Sequence, residues 1–337
     1  MLKSFAKTHI GQRNVNEDSY LIDEVFGLYI VADGVGGLEK GEIASTLACQ
    51  IIRDNIKEGL GLKEAIYNAH RILVSEIKGN LDKQGMATTI VAALFNGNSY
   101  DIAWVGDSRA YIWDDGLKLI TKDDSYVQLL LDNGHISIEE LEKHPDRNII
   151  SQALGIERKE ITINQNSGYL KKDEILLLCS DGLYGIANER NIIKSIKESD
   201  RVEYITGTLV DLAVEKEGKD NITLISIKCV DCEDEIESIP KQPTIYREFD
   251  NSTGKIIITS PKNDVSQLYT HDTVEETNEE DPNLVNQTAL TDLTEDDFKL
   301  LETASSTKRV KKVNSNIYLI PSLFAVILAV LAFVLFK

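Results

Sequence analysis

The stretch LYIVADGVGGLEKGEIAS, residues 28–45, joins an apolar run to a carboxylate and a group of glycines. Residues 28–32 are the kind of short apolar segment that forms a buried strand. The run ends in Asp33, and Gly34, Gly36 and Gly37 occupy three of the next four positions. Because glycine allows the main chain to come close to another group, the pattern raises the question of what the backbone approaches at this strand end.

Similar strand patterns recur along residues 1–230, and they alternate with a few helical patterns. The predicted strands are residues 19–25, 27–33, 88–95, 99–106, 109–113, 174–181 and 221–230, and the predicted helices are residues 40–58, 62–78, 125–133, 189–197 and 202–217. The strands come in adjacent pairs instead of alternating strictly with helices. This order predicts an α+β fold in which helices cover antiparallel sheets, and it disfavours a doubly wound parallel sheet.

Composition limits the classes of protein to consider. The chain has 337 residues, of which 42% are hydrophobic, so it can form a sizeable core. Its formal net charge of −19 argues against a nucleic-acid partner, because phosphate backbones are bound mainly by lysine and arginine. Four cysteines are too few for a disulfide framework, and the CxxC of Cys229 and Cys232 lacks the context of a redox or zinc motif. A reducing compartment is therefore expected.

The composition changes after residue 230. Residues 231–306 contain 19 acidic and 5 basic side chains and four of the six prolines. Such a segment buries too little apolar area to offset the entropy lost on folding, so residues 231–312 are predicted to be a disordered linker that ends in basic residues. The patch at residues 256–259 could instead form a short binding strand.

The C-terminal residues differ from the linker. Residues 317–336 form an apolar run of the length that crosses a bilayer, and residues 313–337 are predicted to be a C-terminal transmembrane anchor. Basic residues precede the run, and by the positive-inside rule the bulk of the chain would lie in the cytoplasm. A buried core helix is the alternative interpretation.

Carboxylates recur where apolar runs begin or end. Asp33, Asp107 and Asp181 follow such runs, and Asp18 and Asp220 precede them. A single aspartate at a strand end commonly caps a turn, but capping does not predict the same pattern five times. Gathered carboxylates need cations, and oxygen ligands favour magnesium or manganese over zinc. Glycine at position 34 would let its carbonyl approach such an ion.

Seven motifs in order extend this pattern. They are GQRNVNEDS at 11–19, VADGVGGLEKGEIAS at 31–45, GMATTI at 85–90, VGDSRAYIW at 105–113, HPDRNIISQALG at 144–155, LCSDGLYG at 178–185 and KDNITLISI at 219–227. The series resembles that of the metal-dependent, type 2C protein serine/threonine phosphatases in their short prokaryotic form. The resemblance implies a sandwich of two antiparallel sheets between helix layers over residues 1–230.

The resemblance also implies roles for individual residues. Asp33 would bridge two Mn²⁺ or Mg²⁺ ions, with Asp181 and Asp220 on one ion. The Gly34 carbonyl and, through a water molecule, Asp18 would serve the other. Asp107, together with Asp181, would hold a third ion. The guanidinium of Arg13 would grip the substrate phosphate, which suits its planar fork of donors.

The implied activity is hydrolysis of phosphoserine and phosphothreonine by a water molecule that bridges two metal ions. The implied partners are phosphorylated proteins, including a membrane serine/threonine kinase and its substrates, together with membrane lipid at the C-terminal helix. The catalytic domain is expected to be monomeric. The alternative is a catalytically inactive, membrane-tethered binding module of the same fold.

Some residues depart from the family pattern or exclude other classes. Asp124 stands where the family often has histidine, and Val35 replaces a histidine of eukaryotic relatives, so the general acid is not identified. Nucleotide-binding glycine loops are excluded by their spacing. Haloacid-dehalogenase phosphatases carry a second aspartate where this chain has Leu183.

Overall fold

The computed structural model describes residues 1–36, 40–79, 85–157, 161–216, 218–231, 243–249 and 256–258. The strands are β1 Leu2–His9, β2 Asp18–Asp23, β3 Leu28–Val35, β4 Ala87–Thr88, β5 Ile90–Asn96, β6 Ser99–Val105, β7 Arg109–Trp113, β8 Leu117–Leu119, β9 Asn164–Tyr169, β10 Ile175–Cys179, β11 Ile222–Cys229, β12 Arg247–Phe249 and β13 Ile256–Ile258. The helices are α1 Lys40–Lys57, α2 Leu62–Lys78, α3 Tyr126–Asp132, α4 Ile138–Leu141, α5 Asp181–Tyr184, α6 Glu189–Glu198 and α7 Val202–Lys216.

The strands form two sheets in which all neighbouring pairs are antiparallel. The first sheet has the order β1-β11-β10-β7-β8-β12-β13, and the second has the order β2-β3-β5-β6-β9 with β4 paired to β3. Strand β6 lies in the second sheet and β7 in the first, so the short turn between them crosses from one sheet to the other. The predicted α+β fold with two antiparallel sheets is confirmed.

The fold has four layers, in which the two sheets lie between two layers of helices. Three hydrophobic clusters hold these layers together. One lies between the sheets and includes Tyr29, Trp104 and Ile225. A second joins α1 and α2 to the outer face of the β3 sheet, and a third joins α6 and α7 to the outer face of the β10 sheet. Because β3, β10 and β11 are covered on both faces, all of their residues are buried, which is why they appear in the sequence as nearly continuous apolar runs.

The predicted boundary at residue 230 is wrong. Strand β12 pairs with β8 through Arg247 and Leu119, and β13 extends the sheet by one more strand. Phe249 is buried in the cluster beneath α6 and α7, and its ring lies 6.4 Å from that of Tyr111. Residues 243–249 and 256–258 therefore belong to the folded domain and not to a disordered linker. Their few apolar side chains pack against the core that the rest of the domain forms.

Two other predictions concern the C-terminal part of the chain. Among the described residues, no helix combines the length and apolar character that crossing a bilayer requires. The predicted anchor at residues 313–337 and the rest of the linker lie outside the described residues. Cys229, at the end of β11, is disulfide-bonded, and Cys49 and Cys179 are buried free thiols.

Candidate metal centre

The strand pairing places the predicted carboxylates at one end of the sandwich. Asp18 begins β2 and lies directly opposite Asp33 of β3. Asp181 begins α5 immediately after β10, and Asp220 comes just before β11, the strand next to β10. Asp107 lies in the turn between β6 and β7. Side chains that are directly opposite in an antiparallel pair share one face, so the fold holds like charges close together.

Asp18 is the most constrained of these carboxylates. Its Oδ2 accepts hydrogen bonds from Ser180 Oγ at 2.8 Å and Thr223 Oγ1 at 2.7 Å. Its Oδ1 is buried and has no hydrogen-bond partner among the described residues. Burial raises the pKa of Asp18 to about 7, against the effect of the two hydroxyls, and the charges of Asp181 and Asp220 raise it further.

Asp181, like Asp18, has a carboxylate oxygen that lacks a partner. Its Oδ1 is also buried without a hydrogen-bond partner among the described residues. An unpaired buried carboxylate oxygen costs free energy, and two such atoms near each other indicate a missing positive partner. The donors are carboxylate oxygens, which are the ligands of hard divalent cations, so the residues present fit Mn²⁺ or Mg²⁺.

The surroundings of Asp33 fix its backbone. Its N–H donates to Thr89 Oγ1 at 3.3 Å, and its carbonyl accepts from Thr88 Oγ1 at 3.0 Å. A Cβ on Gly34 would lie 2.2 Å from the carbonyl oxygen of Gly41 and 2.5 Å from that of Glu17. The glycine after Asp33 is therefore required by close contact with the first turn of α1 and the start of β2, which sequence reasoning did not anticipate.

Arg13 lies beside one of the carboxylates, that of Asp220. Its Nη2 is 2.7 Å from Asp220 Oδ2, and its Nε donates to the carbonyl of Lys219 at 3.1 Å. The amide of Asn221 donates to the carbonyls of Ile10 and Val15, which holds the loop that carries Arg13. About a quarter of the Arg13 side chain is exposed, so its guanidinium borders both Asp220 and solvent.

The predicted carboxylates do not by themselves form a complete set of ligands around one point. Within the described ranges, no three His, Cys, Asp or Glu side chains converge closely enough to hold a metal ion. Two of the carboxylates are instead held by other groups of the protein. Asp220 is paired with Arg13, and Asp18 is held by Ser180 and Thr223. Like charges without a cation between them also repel one another.

Sequence reasoning missed the residues that orient the ligands. Ser180 and Thr223 bind Asp18 across the fold, and Asn221 holds the Arg13 loop. All three residues lie in the motifs around Asp181 and Asp220, directly next to or near the aspartates. A hydroxyl or amide adjacent to a motif aspartate was the available signal, but its partner depends on the tertiary structure.

Asp124 has a structural place. One of its carboxylate oxygens accepts the Gly106 N–H at 2.9 Å, and the Asn164 amide donates to both oxygens at 3.0 and 3.1 Å. Burial raises its pKa to about 6, against the effect of these hydrogen bonds. The aspartate at the position where histidine was expected thus supports the turn before Asp107.

Comparisons with known proteins agree with this geometry. Residues 6–218 match the family model described as Protein phosphatase 2C. The serine/threonine protein phosphatase PstP of Mycobacterium tuberculosis is 34% identical over 223 residues, which cover 64% of this chain and only 42% of that protein. The serine/threonine phosphatase stp of Listeria innocua is 32% identical over 212 residues, 60% of this chain and 84% of that protein.

A solved structure extends the likeness to three dimensions. The crystal structure of the catalytic domain of the serine/threonine protein phosphatase PstP in complex with two manganese ions superposes with a TM-score of 0.61 at 31% identity. The match covers 68% of this chain and 99% of that chain. At this identity the likeness supports more than a shared fold.

Proposed function

The chain belongs to the protein phosphatase 2C family, and from this premise we propose that it hydrolyses phosphoserine and phosphothreonine in proteins with the help of Mn²⁺ or Mg²⁺. The family match covers more than half of the chain, and a family member with similar sequence binds two manganese ions. The proposal extends the family assignment to the activity, the metal ions and the residues of this chain.

One observation carries the proposal. Asp18 and Asp181 each have a buried carboxylate oxygen without a hydrogen-bond partner among the described residues, and both lie in a cluster that includes Asp33 and Asp220. Each such atom costs free energy of folding, and here two of them belong to carboxylates of one cluster. Divalent cations would pair with these oxygens and remove this cost, which would account for the cluster.

The proposed roles follow from position and chemistry. Asp33, Asp181 and Asp220 would hold one ion, and Asp33, Asp18 and the Gly34 carbonyl the other. When bound, the ions would lower the pKa of a shared water molecule for attack on phosphorus and stabilise charge on the phosphoryl oxygens. Ser180 and Thr223 fix one oxygen of Asp18, which leaves Oδ1 as its ligand atom.

Arg13 would bind the substrate phosphate. Its partner Asp220 is also a proposed metal ligand. The guanidinium borders both Asp220 and solvent, and its planar fork of donors suits two phosphate oxygens at once. The arginine then adds positive charge to an otherwise acidic site and orients the ester.

The test measures turnover of the full-length chain on p-nitrophenyl phosphate and a phosphothreonine peptide, with Mn²⁺, Mg²⁺ or chelator. We expect turnover that depends on the metal and falls by more than about 100-fold in Asp33→Asn and Asp181→Asn. Asp23→Asn is the matched control, because Asp23 is equally buried on β2 but lies at the opposite end of that strand. It should retain turnover.

Absence of turnover with every metal, in a protein whose circular dichroism shows that it is folded, would contradict the proposal. The inactive binding module would then be the better interpretation. Equal losses in Asp23→Asn and Asp33→Asn would show that the effect is one of stability and not of the metal centre.

We also propose that the C-terminal anchor and linker tether the catalytic domain to the cytoplasmic face of a membrane. The support is the apolar run at residues 317–336 with basic residues before it. Tethering would raise the effective concentration of the enzyme near membrane phosphoproteins, such as a serine/threonine kinase and its substrates. Deletion of residues 308–337 should move the protein to the soluble fraction with its turnover intact, and continued membrane association would contradict the tether.

A further inference from the structure

Asp18 belongs to a closed ring of hydrogen bonds with Asn16, Thr8 and Thr223. The Asp18 N–H donates to Asn16 Oδ1 at 3.2 Å, and Asn16 Nδ2 donates to Thr8 Oγ1 at 2.9 Å. Thr8 Oγ1 is 2.8 Å from Thr223 Oγ1, and the Thr223 hydroxyl donates to Asp18 Oδ2 at 2.7 Å. The ring therefore starts at the main chain of Asp18 and returns to its carboxylate.

The fold brings the members of this ring together from three strands. Thr8 of β1 and Thr223 of β11 are directly opposite each other in an antiparallel pair of the first sheet. Asp18 begins β2 of the second sheet, and Asn16 lies two residues before it, in the segment between β1 and β2. The ring thus joins the two sheets at the end that carries the candidate metal centre.

The chemistry of the groups sets the direction of each hydrogen bond in the ring. A backbone N–H and an amide nitrogen can only donate, so Asn16 accepts from Asp18 through Oδ1 and donates to Thr8 through Nδ2. A carboxylate that binds a cation is ionised and can only accept, so the single hydroxyl proton of Thr223 is donated to Asp18. The hydrogen bond between the two threonines must then be donated by Thr8.

Ser180 supplies a second oriented hydroxyl from outside the ring. Its Oγ accepts the N–H of Thr223 at 3.0 Å and donates to Asp18 Oδ2 at 2.8 Å. Oδ2 therefore receives two hydroxyl donors, which matches the two lone pairs of one carboxylate oxygen. Oδ1 is buried and has no hydrogen-bond partner among the described residues. The ring and Ser180 together hold Asp18 in one orientation, with Oδ1 as the oxygen left for a cation.

We propose that Thr8 and Asn16 are positioning residues that present Asp18 Oδ1 to the ion, or to a water molecule on it, in the candidate metal centre. The inference rests on the proposed function, because the ion belongs to that centre. Thr8 acts through the hydroxyl of Thr223, and Asn16 acts through Thr8 and through the main chain of Asp18. A ligand that is oriented in advance binds more tightly, since less freedom is lost when the ion arrives.

The test measures binding of Mn²⁺ to the full-length chain by calorimetry and by electron paramagnetic resonance of free Mn²⁺. Thr8→Val keeps the shape of the side chain and removes the hydroxyl that donates to Thr223. We expect the dissociation constant of one bound Mn²⁺ ion to rise by about 5-fold, the factor that one hydrogen bond supplies. Asn16→Ala opens the ring at two hydrogen bonds and should raise this constant by at least as much.

Two further variants separate positioning from general stability. Thr8→Ser keeps the hydroxyl and should bind Mn²⁺ within about 2-fold of the wild type. Thr206→Val is the matched control, because it removes the buried hydroxyl that contacts Ser226 Oγ of β11 at 2.7 Å and the Phe5 carbonyl at 3.5 Å. Its Mn²⁺ affinity should also stay within about 2-fold of the wild type. Thermal melts in chelator measure the stability of each variant.

Unchanged Mn²⁺ affinity in Thr8→Val or in Asn16→Ala would overturn the proposal, and so would an equal loss of affinity in Thr8→Ser or Thr206→Val. Failure of the proposed function has a different signature. If the wild type binds Mn²⁺ and hydrolyses no phosphate ester, the function fails, while the comparison of affinities still decides the positioning role. If the wild type binds no Mn²⁺, both proposals are wrong.

Discussion

The two ends of strand β2 carry buried aspartates that the fold treats differently. Asp23, at one end, is 2.6 Å from the guanidinium of Arg53. Its hydrogen bond with Arg53 lowers its pKa, although burial alone would raise it, and the Phe26 N–H lowers it further. Asp18, at the other end, has only hydroxyl donors, and burial raises its pKa to about 7. The two side chains are similarly shielded from solvent, but Asp18 lies deeper in the protein, so burial acts more strongly on its pKa.

The difference shows where this protein supplies its own cations. Asp23 has Arg53 and Asp123 has Arg109, so these buried carboxylates are neutralised within the fold. At the candidate metal centre, Arg13 contacts Asp220, while Asp18 and Asp181 each keep an oxygen without a partner among the described residues. Within the described part of the chain these two oxygens have no cation beside them, and the proposed metal ions would supply it.

The largest effect on stability is expected where a buried protein cation would lose its hydrogen-bonded carboxylate. Asp123→Asn deprives the buried Arg109 of its bidentate partner, and it should lower the free energy of unfolding by about 3 kcal/mol. Urea denaturation in chelator measures the change. The control is Glu203→Gln, which removes an exposed ion pair with Arg201 and should change the free energy by less than about 0.5 kcal/mol. Similar small changes in both variants would contradict the comparison.

Asp18→Asn is expected to raise the free energy of unfolding, whereas Asp123→Asn lowers it. Its pKa in the folded, metal-free protein lies above that in the unfolded chain, so the folded state binds more protons between about pH 4 and pH 7. Stability is lost as the pH rises through this window. At pH 8 in chelator, Asp18→Asn should therefore raise the free energy of unfolding by an amount on the order of 2 kcal/mol.

The same variant should respond less to metal. Mn²⁺ in large excess stabilises a protein that binds it only when folded, and Asp18→Asn removes a proposed ligand. Thermal melts with and without Mn²⁺ measure this response. If Asp18→Asn is less stable than the wild type in chelator at pH 8, the ionised carboxylate of Asp18 does not destabilise the metal-free folded protein, contrary to the prediction.

A smaller effect is expected for Asp23. Asp23→Asn should lower the free energy of unfolding by about 1 kcal/mol at pH 7, because Arg53 is nearly half exposed and loses little when its partner is neutral. The pKa of Asp23 is lowered in the folded state, so this contribution is present above the usual pKa and disappears as the pH falls through the lowered value. Urea denaturation should give the same loss with Mn²⁺ and with chelator, and a loss that depends on metal would break the contrast with Asp18.

The smallest effect concerns a buried group that stays neutral. His70 of α2 is buried, its Nδ1 accepts the Gly155 N–H at 3.3 Å, and burial lowers its pKa. The unfolded chain therefore binds more protons below about pH 6.5, and stability falls as the pH decreases. The slope of stability against pH between 6.5 and 5 should be shallower in His70→Asn, by less than about 1 kcal/mol in total. An unchanged slope would assign this pH dependence to other groups.

The sequence predicted much of the fold because the relevant signals are local. The helix predicted at residues 62–78 is α2 Leu62–Lys78, and the one at residues 40–58 is α1 Lys40–Lys57. The missed strands lack such signals. Strand β9, NQNSGY, is mostly polar and exists because it pairs with β6 along its whole length. Strand β12 has three residues and depends on the core that Phe249 enters.

The candidate site likewise has features that the sequence predicts and features that depend on the tertiary structure. The sequence by itself determined that Asp181 and Asp220 stand next to strand ends, since an apolar run followed or preceded by a turn residue is visible in a few positions. It ended the strand at Asp33, whereas β3 continues to Val35 because Gly34 and Val35 pair with β4. Only the tertiary structure decided which carboxylate received a cation and which received hydroxyls. Ser180 and Thr223 lie 162 and 205 residues from Asp18 along the chain, and Arg13 lies 207 from Asp220. The physical reason is that the pKa and the pairing of a buried charge depend on its neighbours in space, which the order of residues does not specify.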